Sequence, residues 1–136
     1  MKTETAAFLD KSRECLEKAD GMLARWPNEA GRAAYLADFH VAQATLFETL
    51  GRSPKTHSGV QTQFAGLVRD EPTLTSEMRA FLGRAYTLKA IADHETGPGA
   101  KVTPTRATEA IAAARRFVSI IAELIPPTPE PPSAPA

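Results

Sequence analysis

The sequence predicts an all-α fold: an up-and-down antiparallel bundle of four main helices plus one short additional helix. Three observations point to it. Apolar residues recur at three- and four-residue steps through successive segments. The segments are divided by short links carrying Pro, Gly, Ser and Thr, which favours antiparallel neighbours. No stretch shows the strict apolar/polar alternation of a half-buried strand.

The first helix is expected from about Thr5 to Arg25, with Phe8, Cys15, Ala19, Met22, Leu23 and Trp26 facing inward. Pro27 and Asn28 interrupt it. The second helix, Ala30 to Leu50, is apolar around most of its circumference and contains neither Gly nor Pro between Arg32 and Leu50, so the others must surround it. At about 100° per residue, Asp38, Thr45 and Thr49 share a narrow stripe that should face solvent. Arg32, His40 and Gln43 fall nearly opposite, among Leu36 and Phe47, where polar groups need partners or line an interface.

Gly51 suits the left-handed end of that helix, and RSPKTH follows as a polar loop. Ser58 with Gln61 matches a capping box for a short third helix carrying Val60, Phe64, Leu67 and Val68, closed by Asp70, Glu71 and Pro72. A fourth helix is expected to start near Thr73 to Thr75, to bury Leu74, Met78, Phe81, Leu82, Ala85, Leu88 and Ala92, and to fray near Asp93 to Thr96. Thr103 and Pro104 read as cap and first residue of a last helix with Ala107, Ile111, Ala114, Val118, Ile121 and Ile125 on its core stripe. Pro126 stops it. Residues 1–125 therefore form one domain, and PPTPEPPSAPA, residues 126–136, reads as a disordered, polyproline-like tail.

With 43% hydrophobic and 24% charged residues, the 136-residue chain can build one core, and 16 basic residues against 16 acidic ones leave no footprint of a nonspecific nucleic-acid binder. Cys15 stands alone, so an internal disulfide and a multi-cysteine zinc site are excluded and a buried structural thiol is expected. Glu4, Asp10 and Glu14 occupy the place of a signal peptide's apolar run, and no later segment is apolar for about 18 residues. A soluble, cytoplasmic protein with no membrane association is the expectation.

Most catalytic chemistry lacks its motif. GPGAK at 97–101 has neither the spacing nor the preceding strand of a phosphate loop. His40, His57 and His94 never stand three or four apart, so no helix face offers a two-histidine metal site, and neither metal nor other cofactor is expected. No serine lies in a nucleophile-elbow context. One anomaly remains: Lys89 projects onto the inner stripe of the fourth helix with Met78, Leu82, Ala85 and Ala92. Such a lysine either lays its methylenes on the seam with its ammonium in water, or lines a cleft. His94 follows five positions later, about 140° away on a regular helix, so the two converge only if the helix unwinds or a second chain completes the site. His57, just before Ser58, should fix the turn into the third helix.

The segments RAAYLADFHVAQATLFETLG, KTHSGVQTQF and LKAIADHE, in this order, resemble the HEPN domain, above all its small standalone bacterial members. The resemblance spans about Phe8 to Ile125 and implies a helical bundle that dimerises through its fourth helices to form a basic cleft. It also implies a metal-independent endoribonuclease motif of Arg, four to six residues, then His. Here Lys89 takes the arginine position, Ala90 the polar one, His94 the histidine, and Thr96 a tyrosine that a partner nucleotidyltransferase modifies in some members. The resemblance then assigns His94 to proton transfer during 2′-hydroxyl attack and Lys89 to charge on the phosphorane. Lysine supplies the charge without the bidentate fork, so weakened or lost turnover is expected.

Arg79 and Arg84 would extend the groove along RNA phosphates, with Asp93, His40 and His57 as supporting positions. Two functions follow. One is an RNA-directed, toxin-like partner of a nucleotidyltransferase antitoxin, acting as a homodimer. The other is a non-catalytic HEPN module that binds a nucleotide, an RNA or a protein partner.

Overall fold

The computed structural model describes residues 1–94 and 101–125, with His94 described by its backbone alone. Thr96 and the Pro-rich tail lie outside the described residues. Five helices follow one another: α1 (Thr3–Met22), α2 (Pro27–Leu50), α3 (His57–Val68), α4 (Ser76–His94) and α5 (Pro104–Leu124). Among the described residues there is no strand, and no helix is long and apolar enough to cross a membrane.

Polar contacts at the helix ends set the directions. The Lys2 backbone N–H donates to Glu48 Oε1 at 2.9 Å and Lys2 Nζ to Glu48 O at 2.7 Å, tying the start of α1 to the end of α2. Arg32 Nε near the start of α2 donates to Asp93 Oδ1 near the end of α4, at 2.8 Å. The Val102 N–H, just ahead of α5, donates to Asn28 Oδ1 at 2.7 Å. The four long helices therefore alternate in direction, and α2 packs against all four others, most extensively against α1.

Alanine makes that central position possible. Ala30, Ala33, Ala34, Ala37, Ala42 and Ala44 are all buried on α2, and their small side chains let neighbouring backbones approach. Gly51 ends the helix at φ 76°, with its N–H donating to Phe47 O, a left-handed cap that costs glycine no Cβ clash. On the far side, Phe117 of α5 is fully buried, with ring centroids 4.9 Å from Phe81 of α4 and 5.8 Å from Phe64 of α3.

Several expectations need correction. The buried face of α1 is Thr5, Leu9, Ser12, Leu16 and Ala19, whereas Phe8, Cys15 and Met22 flank it and Trp26 is 51% exposed. The seam runs where α1 comes closest to α2, marked by Ser12 Oγ donating to Ala37 O at 2.7 Å, and bulky residues sit beside that line. Cys15 is half-buried, and burial pushes its thiol pKa up. Pro27 opens α2, because a first helical residue has no intrahelical use for its N–H. Thr56 rather than Ser58 caps α3, accepting from the Gly59 N–H at 3.0 Å; a Cβ on Gly59 would stand 2.7 Å from that hydroxyl. Thr103 and Pro104 begin α5 as expected, and Thr75 Oγ1 accepts from the Met78 N–H at the start of α4.

The stripe of Asp38 and Thr45 faces the interior, and only Thr49 is exposed. Thr45 meets its need locally by donating to Val41 O at 3.0 Å. Asp38 is 1% exposed and its Oδ1 has no hydrogen-bond partner, so burial raises its pKa well above the ordinary carboxylate value.

Two outcomes follow. Phe117→Ala should destabilise the fold by about 3–5 kcal/mol in urea unfolding, since it empties the junction of α3, α4 and α5. For Asp38 the native state keeps a proton that the unfolded chain releases above its ordinary pKa, so stability falls as pH rises from there toward the native pKa. Asp38→Asn removes that slope. Its unfolding free energy relative to the native sequence should grow as pH rises above the ordinary carboxylate range, at up to about 1.4 kcal/mol per pH unit, and level off once the native Asp38 also ionises; a pH-independent difference would contradict an unpaired buried acid.

Candidate functional site

The last turns of α4 lie against the first half of α2, and α3 begins beside both. Lys89 turns inward and its side chain is only 14% exposed. Its ammonium donates to Asp93 Oδ2 at 2.5 Å, while Arg32 Nε reaches Oδ1 of the same carboxylate at 2.8 Å. Lys89 Nζ also stands 5.9 Å from the centroid of the Tyr86 ring. One carboxylate thus joins two cations from two helices. The Lys89 hydrogen bond foremost, with Arg32 adding to it, holds Asp93 below the usual carboxylate range.

His57 opens α3 inside a cage of rings. Its centroid lies 4.4 Å from Phe39, 5.6 Å from Tyr35 and 5.5 Å from Tyr86. The Tyr35 hydroxyl is 2.8 Å from His57 Nδ1. Burial pushes the Tyr35 pKa up to about 12, against a smaller opposing effect of a Gln61 hydrogen bond, so the phenol keeps its proton. Burial first, and then the charges of Lys89 and Arg32, lower the His57 pKa, and Asp93 offsets part of this. Thr56, His57, Ser58, Gln61 and Tyr86 border a surface pocket of about 410 Å³.

Lys89 and Asp93 are therefore joined directly, and His57 stands within their field. His40 is half-buried, its Nδ1 2.8 Å from Gln43 Oε1 and its ring 5.4 Å from Phe39, with its pKa lowered chiefly by burial. Arg79 lies away from the cluster, its Nη1 donating to Leu74 O at 2.9 Å and Glu71 O at 3.3 Å. Arg84 is exposed and donates to Glu77 O at 3.1 Å, with Glu77 Oε1 at 3.7 Å. Among the described residues no hydrogen bond or ion pair joins either arginine to Asp93. His94 closes α4, and its side chain falls outside the described residues.

A family model of the HEPN domain matches residues 5–124. The chain belongs to the HEPN family. No curated protein matches it. Within this HEPN fold, Arg32 reaches the end of α4, Tyr35 and Phe39 surround His57, and His40 stands beside Phe39 and Gln43 on α2. Tyr86 completes the cage and was not among the sequence candidates; its only signal was an aromatic three residues before Lys89 on a helix that also carries Phe81.

In this HEPN chain the net charge of the triad is one positive, held beside an imidazole that stays neutral near physiological pH. Such an arrangement can pair with an anion and set a neutral imidazole beside it. Histidine NMR titration should place the His57 midpoint below 6.5, and Asp93→Asn should lower it further, because the carboxylate is the charge that favours protonation. An upward move would reverse the assigned electrostatics.

Proposed function

We propose that this HEPN protein is the RNA-directed, toxin-like partner of a nucleotidyltransferase antitoxin and acts as a metal-independent endoribonuclease. The observation that carries the reading is the Lys89–Asp93–Arg32 array. Lys89 occupies the arginine position of the family motif, and Arg32 brings from α2 the guanidinium that α4 lacks there. In the proposed reaction His94 moves a proton during attack of the 2′-hydroxyl on the adjacent phosphorus. The two cations stabilise the charge that builds on the phosphorane oxygens. Lys89 and His94 lie about 140° apart around a regular helix, which supports a site completed by a second copy along α4. Arg79 and Arg84 would extend the phosphate track.

One observation favours a binding-only alternative: Asp93 already neutralises one of the two cations. In that case the module holds a nucleotide, an RNA or a protein partner without turnover.

Purified protein is incubated with single-stranded RNA in excess chelator, and its mass is measured by light scattering after size exclusion. Cleavage by a dimer is expected, falling about a hundredfold or more in His94→Ala and at least tenfold in Lys89→Ala and Arg32→Ala. Absence of cleavage, or cleavage unchanged in His94→Ala, would sink the enzymatic reading. RNA retained without cleavage, with a salt dependence reduced in Lys89→Ala, would establish the alternative.

A further inference from the structure

A second cavity, of about 270 Å³, lies between α2, α4 and α5. Its walls are mostly apolar: Ala34 on α2, Phe81, Ala85 and Leu88 on α4, Ala110 and Ala113 on α5. Asp38 borders it, 1% exposed, with Oδ1 unpartnered. The other titratable and charged groups around it are Tyr35 on α2, Glu77 and Arg84 on α4, and Arg106 and Glu109 on α5. Two carboxylates and two guanidinium groups cancel at the rim, and Arg84 is already engaged by Glu77. The sign of a bound ligand is therefore decided by Asp38.

We propose that this cavity binds a small organic ammonium or amidinium ion carrying a single ring or a short alkyl body, with the Asp38 carboxylate as its counter-ion. The volume falls just below the roughly 300–1,000 Å³ typical of pockets for drug-sized ligands, which limits the body to that size. An isolated buried carboxyl keeps its proton because ionisation without a partner is costly. A cationic N–H donor supplies the missing partner: the acid gives its proton to solvent, the carboxylate accepts a charge-assisted hydrogen bond, and the apolar body covers the alanine and phenylalanine walls. Nothing in this depends on the ribonuclease reading, since Lys89, His94 and Arg32 do not line the cavity.

Calorimetric titration of the full chain with benzylamine and benzamidine, against benzyl alcohol as the neutral isostere, tests it. Both cations should bind, and benzyl alcohol at least tenfold more weakly. Asp38→Asn should weaken the cations by about 30-fold or more, the loss expected when one partner of a buried charge pair is removed. Glu109→Gln should change binding by less than about threefold, because a rim carboxylate is screened by solvent. Ala113→Leu, which fills the cavity while leaving Asp38 in place, should abolish binding and decides the matter if Asp38→Asn fails to fold. Equal binding of the alcohol, unchanged binding in Asp38→Asn or Ala113→Leu, dependence on Glu109 instead of Asp38, or no binding of either cation up to about 10 mM would each overturn the proposal.

Discussion

Burial of α2 on nearly every side is the constraint from which the rest of this molecule follows. A helix that touches all four of its neighbours has no solvent face along its middle, so each polar side chain there must find its partner inside the bundle. Ser12 reaches across from α1 to a carbonyl of α2, Thr45 bonds back to its own helix, and Gln43 takes up His40. Arg32 and Tyr35 reach outward to α4 and α3. Asp38 alone on that helix keeps a buried oxygen without a partner.

The cluster at the end of α4 is built from the same economy of partners. Asp93 receives one cation from its own helix and one from α2, so the two helices are held at this point by charge as well as by packing. Exposure of the three side chains, between 14% and 35%, places the pairs where screening is partial. Their value lies in position: the cations are held beside the ring cage, and the half-buried imidazole within it is kept neutral by the surroundings and oriented by Tyr35.

Tyr35 joins the two ends of this arrangement. Its ring is fully buried and its hydroxyl engages His57, while the same residue lines the cavity that Asp38 borders. Tyr35 thus links the two pockets, lining the one that Asp38 borders and touching through its hydroxyl the histidine that lines the other. The central helix also supplies Arg32, Tyr35 and Asp38 to the molecule's polar sites.

The sequence by itself determined the all-α class, the number and order of helices, and most boundaries, because helical periodicity, proline, glycine and capping residues act locally. Thr103 with Pro104 and Gly51 behave as their local chemistry dictates. It also singled out Lys89 as a cation on an inward stripe, and Arg32, with His40 and Gln43, as polar groups that need partners or line an interface. Tertiary structure alone decided the rest. On a helix with apolar residues all round, no stripe announces itself as the outer one, so Asp38 and Thr45 read as solvent-facing and proved buried. The pairing of Arg32 with Asp93 spans 61 positions of sequence, and the cage around His57 on α3 is made of rings from α2 and α4. Contacts of that range depend on how helices cross and approach, which no local pattern encodes.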